Sequence, residues 1–338
     1  MTNEQQKKFD QISALVGNTP LLEIRFSYCG KKRRVFAKAE WLNLTGSIKD
    51  RVALHILNEA YKDGSISVGD RIIEATSGNT GIAFSAIGRN LGHPVSIFMP
   101  NWMSKERVNL MQAFGAEVVL VSKEQGGFLG SIEMTEKLAQ EPGIFLPCQF
   151  SNEQNTIAHE LTTGQEIIAQ LSKIGLMADA VVAGVGTGGT VMGIGNALKK
   201  ANPHCKVHPL EPESSPTLST GFKVGAHRIQ GISDEFIPSL LHLNELDQVV
   251  SVGDEDSIIM ARMLSEKLGI GVGISSGANF LGCVLAQNQI GDDAVVTTVF
   301  ADDNKKYLST DYSNDYTMLD CYLSSKIELD CVIAHPAN

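Results

Sequence analysis

The sequence has 338 residues, an apolar content of 43% and a formal net charge of −10. Its length exceeds the size at which one hydrophobic core usually stops growing, so two lobes are expected. The acidic balance argues against a surface that binds nucleic acid or anionic membranes without specificity. No apolar run is long enough to span a bilayer, and residues 1–10 lack the apolar core of a signal peptide. A cytoplasmic protein is therefore expected.

The six cysteines are scattered along the chain and form no C-x-x-C pair. This distribution is typical of reduced thiols in a cytosolic protein. His204, Cys205 and His208 lie close together in the sequence, but no second pair of ligands follows them. We therefore predict no metal site.

Strand and helix patterns alternate through the first half of the chain, after a turn at residues 16–20 that leads into a short apolar run. The alternation is typical of a mostly parallel sheet with helices on both faces, which is an α/β fold. The predicted elements are strands at 35–40, 72–75, 95–99, 118–121 and 144–147, and helices at 49–60, 82–91, 105–114 and 129–139.

The alternation resumes after the polar stretch 148–155, which is the best candidate for a crossing between lobes. The irregular stretch 212–238 is long enough to indicate a functional loop. Residues 311–338 have few apolar anchors and are predicted to extend outside both cores. The predicted elements of this half are helices at 158–171, 191–200, 255–268 and 271–287, and strands at 180–184, 207–211 and 294–300.

Lys49 occupies an unusual position, because it lies in the first turn of a predicted helix. First-turn N–H groups favour anions, so a cation there needs an explanation. An amine held near such groups and near apolar neighbours loses basicity, which favours imine formation with an aldehyde. A solvated surface lysine is the alternative.

The segment 75–81, Ala-Thr-Ser-Gly-Asn-Thr-Gly, follows a predicted strand and opens a helix. Its glycines let the backbone curl, and its N–H groups and hydroxyls can hold a carboxylate. Asn79 adds an amide that can bond a ring hydroxyl. The alternative is a simple helix N-cap, for which Ser, Thr and Asn are all suited.

The segment 184–190, Gly-Val-Gly-Thr-Gly-Gly-Thr, also joins a strand to a helix, and its N–H groups can form a cup for a phosphate. It satisfies G-x-G-x-x-G, and Glu211 ends the next strand roughly where an acid that binds a dinucleotide ribose would lie. Its hydroxyls suit one terminal phosphate at least as well as a pyrophosphate. At a third helix start, Ser275 and Ser276 are either caps or donors to an aromatic nitrogen.

An imine-forming lysine, a carboxylate loop, a cup for one phosphate and a hydroxyl for a ring nitrogen are together what pyridoxal phosphate needs when it acts on an amino acid. The sequence resembles the cysteine synthase / cystathionine β-synthase family of fold type II pyridoxal-phosphate enzymes. The resemblance covers about residues 11–310. The matching stretches are 16–21, 45–51, 76–81, 103–107, 149–152, 186–190, 273–277 and 307–310.

The resemblance implies a role for each of these stretches. Lys49 would be the Schiff-base lysine and proton shuttle, Ser275 would face the pyridine nitrogen, and Asn79 would also contact the 3′-oxygen of the ring. A neutral pyridine suits elimination at Cβ of a serine derivative or cysteine, followed by addition of a nucleophile to an α-aminoacrylate intermediate. The implied substrate-carboxylate residues are Thr76, Ser77, Asn79, Thr80 and Gln149. The implied phosphate-binding residues are Gly186, Thr187, Gly188, Gly189 and Thr190.

The resemblance also implies a domain division and an assembly. The small lobe would span residues 45–155, and the large lobe would combine residues 1–44 with 156–310. The extension 311–338 would follow. Family members are commonly homodimers, so a homodimer is expected.

Three segments depart from typical cysteine synthases: Ala75 replaces a common proline, residues 126–130 replace a Gly-Met-Lys-Gly segment at the substrate mouth, and residues 231–238 are acidic. The last segment carries Asp234 and Glu235 and resembles that of cystathionine β-synthases. Two carboxylates that face the substrate there would repel HS⁻ and could accept a proton from a neutral nucleophile. The alternative to cysteine synthesis is therefore release of hydrogen sulfide from L-cysteine, with formation of serine, lanthionine or cystathionine. The alternative is that both acids point to solvent as part of a hydrophilic loop.

Two alternatives come from other functional classes. An NAD-dependent oxidoreductase would be a colourless protein that binds a dinucleotide. A non-catalytic homologue that binds a partner protein would keep pyridoxal phosphate but would not react with O-acetylserine or cysteine.

Overall fold

A computed structural model describes residues 2–222, 224–232 and 236–337. The chain divides into two compact units. The first unit comprises Met1–Gly17 and Asn43–Ala158, and the second comprises Asn18–Leu42 and His159–Asn338. Both are built from a sheet flanked by helices, so the predicted α/β class is confirmed. Within the described residues, no helix has the length and apolar character that crossing a membrane requires.

The first unit contains a parallel sheet with the strand order β5-β4-β3-β6. Its strands are β3 (Arg71–Ala75), β4 (Val95–Pro100), β5 (Glu117–Val121) and β6 (Ile144–Phe145). Its helices are α1 (Asn3–Ser13), α2 (Lys49–Asp63), α3 (Asn79–Asn90), α4 (Lys105–Ala113), α5 (Gly127–Leu138) and α6 (Gln154–Ala158). Strand β4 is buried along its whole length, which explains its continuous apolar pattern.

Helix α1 was not expected from the sequence. Thr2 and Gln5 form a capping box, in which each side chain accepts a hydrogen bond from the other residue's backbone N–H. Gln5 then donates to the Tyr61 hydroxyl at 3.1 Å, and this hydroxyl contacts His93 Nε2 at 2.5 Å. These contacts group residues 1–17 with the first unit, whereas the predicted large lobe included them. The proposed domain division otherwise stays a prediction.

The second unit contains a sheet with the strand order β11-β1-β2-β10-β7-β8-β9. Strands β11, β1 and β2 pair antiparallel, and the remaining pairs are parallel. The strands are β1 (Leu21–Tyr28), β2 (Lys31–Ala39), β7 (Ala180–Gly184), β8 (Lys206–Pro212), β9 (Val250–Val252), β10 (Val296–Phe300) and β11 (Ile327–His335).

The helices of the second unit cover this sheet, and the longest of them is almost wholly buried. A π-helix, His159–Thr163, precedes them. They are α7 (Gly164–Lys173), α8 (Gly189–Ala201), α9 (Thr217–Thr220), α10 (Asp254–Leu268) and α11 (Ile274–Ile290).

The C-terminal segment differs from its prediction. Residues 311–338 were expected outside both cores, but β11 pairs with the whole of β1, from Leu21 opposite His335 to Tyr28 opposite Ile327. Only Ile327 is buried in this strand, because the other positions cover an edge of the sheet. The expectation fails since an edge strand needs few apolar residues.

A buried cation fixes the start of β1 to the sheet. Lys38 of β2 has no solvent exposure, and its Nζ lies 2.7 Å from Glu166 Oε2 of α7. The same ammonium donates to the Thr19 carbonyl at 2.6 Å and to Gln170 Oε1 at 2.9 Å. Burial of a charge is tolerated when it is paired and hydrogen-bonded in this way.

Candidate active site

Lys49 is the first residue of α2 and is partly buried. The turn before it is held by Asp50, whose buried carboxylate accepts from the Thr45 backbone N–H at 2.7 Å and from the Thr45 hydroxyl at 2.5 Å. The Lys49 N–H donates to Ser47 Oγ at 3.3 Å. Thr45 and Asp50 thus fix the backbone from which the Lys49 side chain extends.

The predicted carboxylate loop joins β3 to the first residue of α3, Asn79. Thr80 donates to Gln149 Oε1 at 2.6 Å, and Gln149 Nε2 donates to the Ala75 carbonyl at 2.7 Å. Thr76 Oγ1 accepts from the Gly78 N–H at 3.1 Å. The structure therefore brings Gln149 to the same loop as its predicted partners, although it lies about 70 residues further along the chain.

Sequence reasoning missed the cation behind this loop. Arg107 of α4 is buried, and its Nη1 donates to the Ser77 carbonyl at 3.4 Å. A Cβ at Gly78 would lie 3.0 Å from Arg107 Nε, so glycine admits this close approach. The guanidinium adds positive charge to a loop whose N–H groups already favour a carboxylate. The Met103–Arg107 match was the available signal.

A buried acid, Glu74, also supports the loop. Its carboxylate accepts from the Ala75 N–H at 2.9 Å and from the Gln149 N–H at 3.2 Å. It therefore links the carboxylate loop to the turn that presents Gln149. Burial raises the pKa of Glu74 to about 8. The two N–H bonds lower the pKa, but their effect is smaller than that of burial.

We expect Glu74 to make stability depend on pH. Between about pH 4.5 and 8 the folded state keeps a proton that the unfolded chain has released, so the free energy of unfolding falls as pH rises, by on the order of a few kcal/mol. Glu74→Gln should remove this component. Urea unfolding at pH 5.5 and 8.5 checks it. Equal pH dependence in the variant and the wild type would contradict the assignment.

The glycine loop 184–190 precedes α8, which begins at Gly189. Other backbone packs directly against it. A Cβ at Gly186 would lie 2.6 Å from the Gly231 carbonyl oxygen, and one at Gly184 would lie 2.8 Å from Ile232 Cγ2. Glycine is therefore required at both positions, and the first N–H of α8, that of Gly189, donates to Thr187 Oγ1 at 3.4 Å.

A polar contact joins this loop to the π-helix. Thr190 Oγ1 lies 3.2 Å from Nε2 of the buried His159.

Glu211, at the end of β8, does not act as the ribose acid of the dinucleotide interpretation. Its carboxylate is 1% exposed and accepts from the Leu218 N–H at 2.7 Å and from the Ser219 hydroxyl. These bonds hold α9, so the acid is enclosed by its own chain.

Ser275 lies in the first turn of α11, after Gly273. A Cβ at Gly273 would lie 2.1 Å from Asp302 Oδ1, and Asp302 Oδ2 accepts from the Tyr307 hydroxyl at 2.6 Å. Asp302 and Tyr307 therefore fix the start of the helix. Ser276 is fully enclosed, whereas Ser275 keeps a small exposed edge. Of the two serines, Ser275 is the one that a ligand can reach.

Asp234 and Glu235 lie outside the described residues. Their predicted role therefore stays a prediction.

Taken separately, the first unit supplies an amine, and the second supplies a glycine loop at a helix start and a hydroxyl. These are the groups that a cofactor with an aldehyde, a phosphate and a ring nitrogen requires. A family model described as "Pyridoxal-phosphate dependent enzyme" matches residues 12–302. The cysteine synthase of Staphylococcus aureus is 40% identical over 305 residues, which are 90% of this chain and 97% of that protein. The chain belongs to this family, with the cysteine synthases, and its cofactor is pyridoxal 5′-phosphate.

Other relatives agree. A probable cysteine synthase of Bacillus subtilis is 41% identical over 298 residues, which are 88% of this chain and 95% of that protein. A solved hydrogen sulfide-producing enzyme of Fusobacterium nucleatum is 55% identical, with a TM-score of 0.94 and coverage of 97% of this chain and 99% of that one. An aspartate-to-asparagine mutant of that enzyme was solved with an α-aminoacrylate intermediate. The predicted family, fold class and cofactor are confirmed.

Proposed function

We propose that the protein catalyses β-replacement on L-cysteine or L-serine derivatives, with Lys49 as the lysine that carries the cofactor. The observation behind this proposal is the position of Lys49 at the entrance of α2, on a turn fixed by Asp50 and Thr45. The similarity to cysteine synthases and to a hydrogen sulfide-producing enzyme supports the reaction class.

The cofactor supplies the electron sink that makes elimination at Cβ possible. The protein's own residues orient the substrate and move protons. The Lys49 amine removes the proton from Cα and returns one at the end of the reaction. The loop at the start of α3, with Gln149, holds the substrate carboxylate, and the Arg107 charge behind the loop favours that anion. The proposed carboxylate residues are Thr76, Ser77, Asn79, Thr80 and Gln149.

The phosphate is assigned to the glycine loop at the start of α8, because the N-terminus of a helix favours an anion. Its proposed residues are Gly186, Thr187, Gly188, Gly189 and Thr190. Ser275 donates to the ring nitrogen without the charge that an aspartate would bring. A hydroxyl at this place would not require the ring nitrogen to be protonated, and this would suit β-elimination better than transamination.

Borohydride reduction of the holoenzyme, followed by peptide mapping, tests the assignment of Lys49. We expect the cofactor label on the peptide that contains Lys49. Lys38 offers an internal comparison, because it is buried and engaged with Glu166. Label on any other lysine, or on none, would refute the proposal.

Asp234 and Glu235 are proposed to favour release of hydrogen sulfide from L-cysteine over capture of sulfide. Two carboxylates near an anionic nucleophile cost about 1 to 4 kcal/mol at 4 Å, depending on the local dielectric. A carboxylate can also accept a proton from a thiol or a water as it adds to Cβ, or bind the amino group of homocysteine or a second cysteine. The 55% identical hydrogen sulfide-producing enzyme supports this preference.

Asp234→Asn and Glu235→Gln should shift the ratio of two activities, sulfide release from cysteine and cysteine formation from O-acetylserine plus sulfide. We expect the ratio to fall about 10-fold or more in at least one variant. Asp293→Asn, in the turn between α11 and β10, is the control and should leave the ratio unchanged. If neither substitution changes the ratio, ordinary cysteine synthesis becomes the better proposal.

The two alternatives of other classes make different predictions. An absorbance scan of the pure protein, with and without O-acetylserine or cysteine, separates them, because a non-catalytic homologue would show no change on addition. The enclosure of Glu211 speaks against the dinucleotide interpretation. A homodimer and a cytoplasmic location are proposed from the family resemblance.

A further inference from the structure

Arg228 lies in the second unit between α9 and the acidic segment, residues 231–238. It links this part of the chain to α10. Its backbone N–H donates to Asp254 Oδ2 at 3.0 Å, and its Nη2 donates to Glu255 Oε1 at 2.9 Å. Both acids lie in the first turn of α10. Acidic side chains are favoured there by the helix dipole, so this turn is a stable anchor for a cation.

The C-terminal segment, residues 311–326, is fastened to the same turn of α10. The Tyr322 hydroxyl donates to Glu255 Oε2 at 2.6 Å, so Glu255 binds Arg228 with one oxygen and Tyr322 with the other. The Tyr316 ring centroid lies 5.7 Å from the Arg228 guanidinium carbon. Asp256 accepts from the backbone N–H groups of residues 323 and 324, at 2.8 and 3.1 Å. The Arg228 side chain therefore contacts both the first turn of α10 and this segment.

The residues after Arg228 lie against the phosphate-binding glycines. Ile229 is fully buried, and Ile232 is 7% exposed. The Gly231 carbonyl oxygen and the Ile232 side chain are the groups that a Cβ at Gly186 or Gly184 would strike. A displacement of residues 229–232 would therefore change the packing of the glycine loop.

We propose that the C-terminal segment is a positioning element for the reaction, which holds Arg228 and thereby fixes residues 229–232 against the glycine loop. This inference rests on the proposed function, since it assigns to Arg228, Tyr316 and Tyr322 a share in the choice between the two β-replacement activities. It gives residues 311–326 a role within their own chain.

The contacts that Glu255 makes with Tyr322 and Arg228 are expected to persist at neutral pH. The Glu255 carboxylate raises the pKa of the Tyr322 phenol to about 12, so the phenol remains a hydrogen-bond donor at neutral pH. The side chains of Arg228 and Glu255 are 36% and 43% exposed. Exposed ion pairs contribute little to global stability, so removal of Arg228 should change local order without unfolding the protein.

The test compares Arg228→Gln and Tyr322→Phe with Lys267→Gln in the holoenzyme. Lys267 is the control, because it is an exposed cation in the last turn of α10, whereas the acids that bind Arg228 lie in the first turn of that helix. Hydrogen exchange of the peptide that contains residues 229–232 is measured first. The cofactor dissociation constant and the ratio of the two activities follow.

We expect faster exchange of residues 229–232, weaker cofactor binding and a shift of about fivefold in the activity ratio for Arg228→Gln, with a smaller shift for Tyr322→Phe. Lys267→Gln should match the wild type. If Arg228→Gln and Tyr322→Phe exchange as slowly as Lys267→Gln, the inference is overturned. If the wild type has neither activity, the proposed function fails, and the exchange data still decide whether the segment holds the loop.

Discussion

Lys49→Ala should lower β-replacement by about 10³-fold or more, because the variant loses the group that moves the Cα proton and anchors the cofactor. The turn held by Asp50 and Thr45 does not involve the Lys49 side chain, so the fold should persist. Sulfide release from cysteine and the visible absorbance of the purified protein measure the two losses.

Lys62→Ala is the matched control for this prediction. Lys62 lies in the last turn of the same helix, is 60% exposed at its side chain and pairs with Glu59 at 2.7 Å. Its removal should leave both the rate and the absorbance unchanged. A Lys49→Ala enzyme with near wild-type activity, or equal losses in the two variants, would rule out the assignment.

Lys38→Met should destabilise the second unit by about 3 to 5 kcal/mol, which is the usual cost of breaking a buried ion pair. The substitution leaves the Glu166 carboxylate, 15% exposed, without its ammonium partner, and it also removes donors from Thr19 and Gln170. Trp41 lies in this unit, 6.4 Å from the Phe300 ring, and reports its unfolding. In a Trp102→Phe background, Trp41 is the remaining tryptophan of the two.

A second variant separates lost charge pairing from lost packing. Lys38→Met combined with Glu166→Met removes both charges, so it should recover part of the stability that the single change loses. The midpoint of denaturant unfolding followed by Trp41 fluorescence gives both values. A single variant within about 1 kcal/mol of wild type would mean that the pair is not a determinant of stability.

The local patterns of the chain predict much of the fold and of the site. Strands β4 and β10 are recognisable as short runs rich in apolar and β-branched residues, because every position in both is buried. The turn before Lys49 and the glycine loop 184–190 were recognisable from the sequence. Each leads directly into a helix, and each contains residues that suit the start of a helix rather than its interior. A glycine at 186 is such a residue, since backbone from Gly231 fills its Cβ position.

Long-range and buried polar features were not predictable in the same way. Glu74, Arg107 and Lys38 belong to residue types that usually carry charge, so a binary pattern places them at the surface, although each is buried against partners distant in sequence. Helix α1 carried a readable signal, the capping box of Thr2 and Gln5, within a segment that is otherwise too polar to suggest packing.

Strand β11 gives the chain a particular order of assembly during synthesis. Ser27 of β1 bonds to Glu328 of β11, which is 301 residues further along the chain. During translation, β1 is therefore made long before β11. Until β11 has been made, the outer edge of β1 keeps unpaired N–H and C=O groups. Residues 43–158, in contrast, are nearly all of the first unit and can fold as soon as they emerge. The sheet of the second unit is therefore completed last, when β11 pairs with β1.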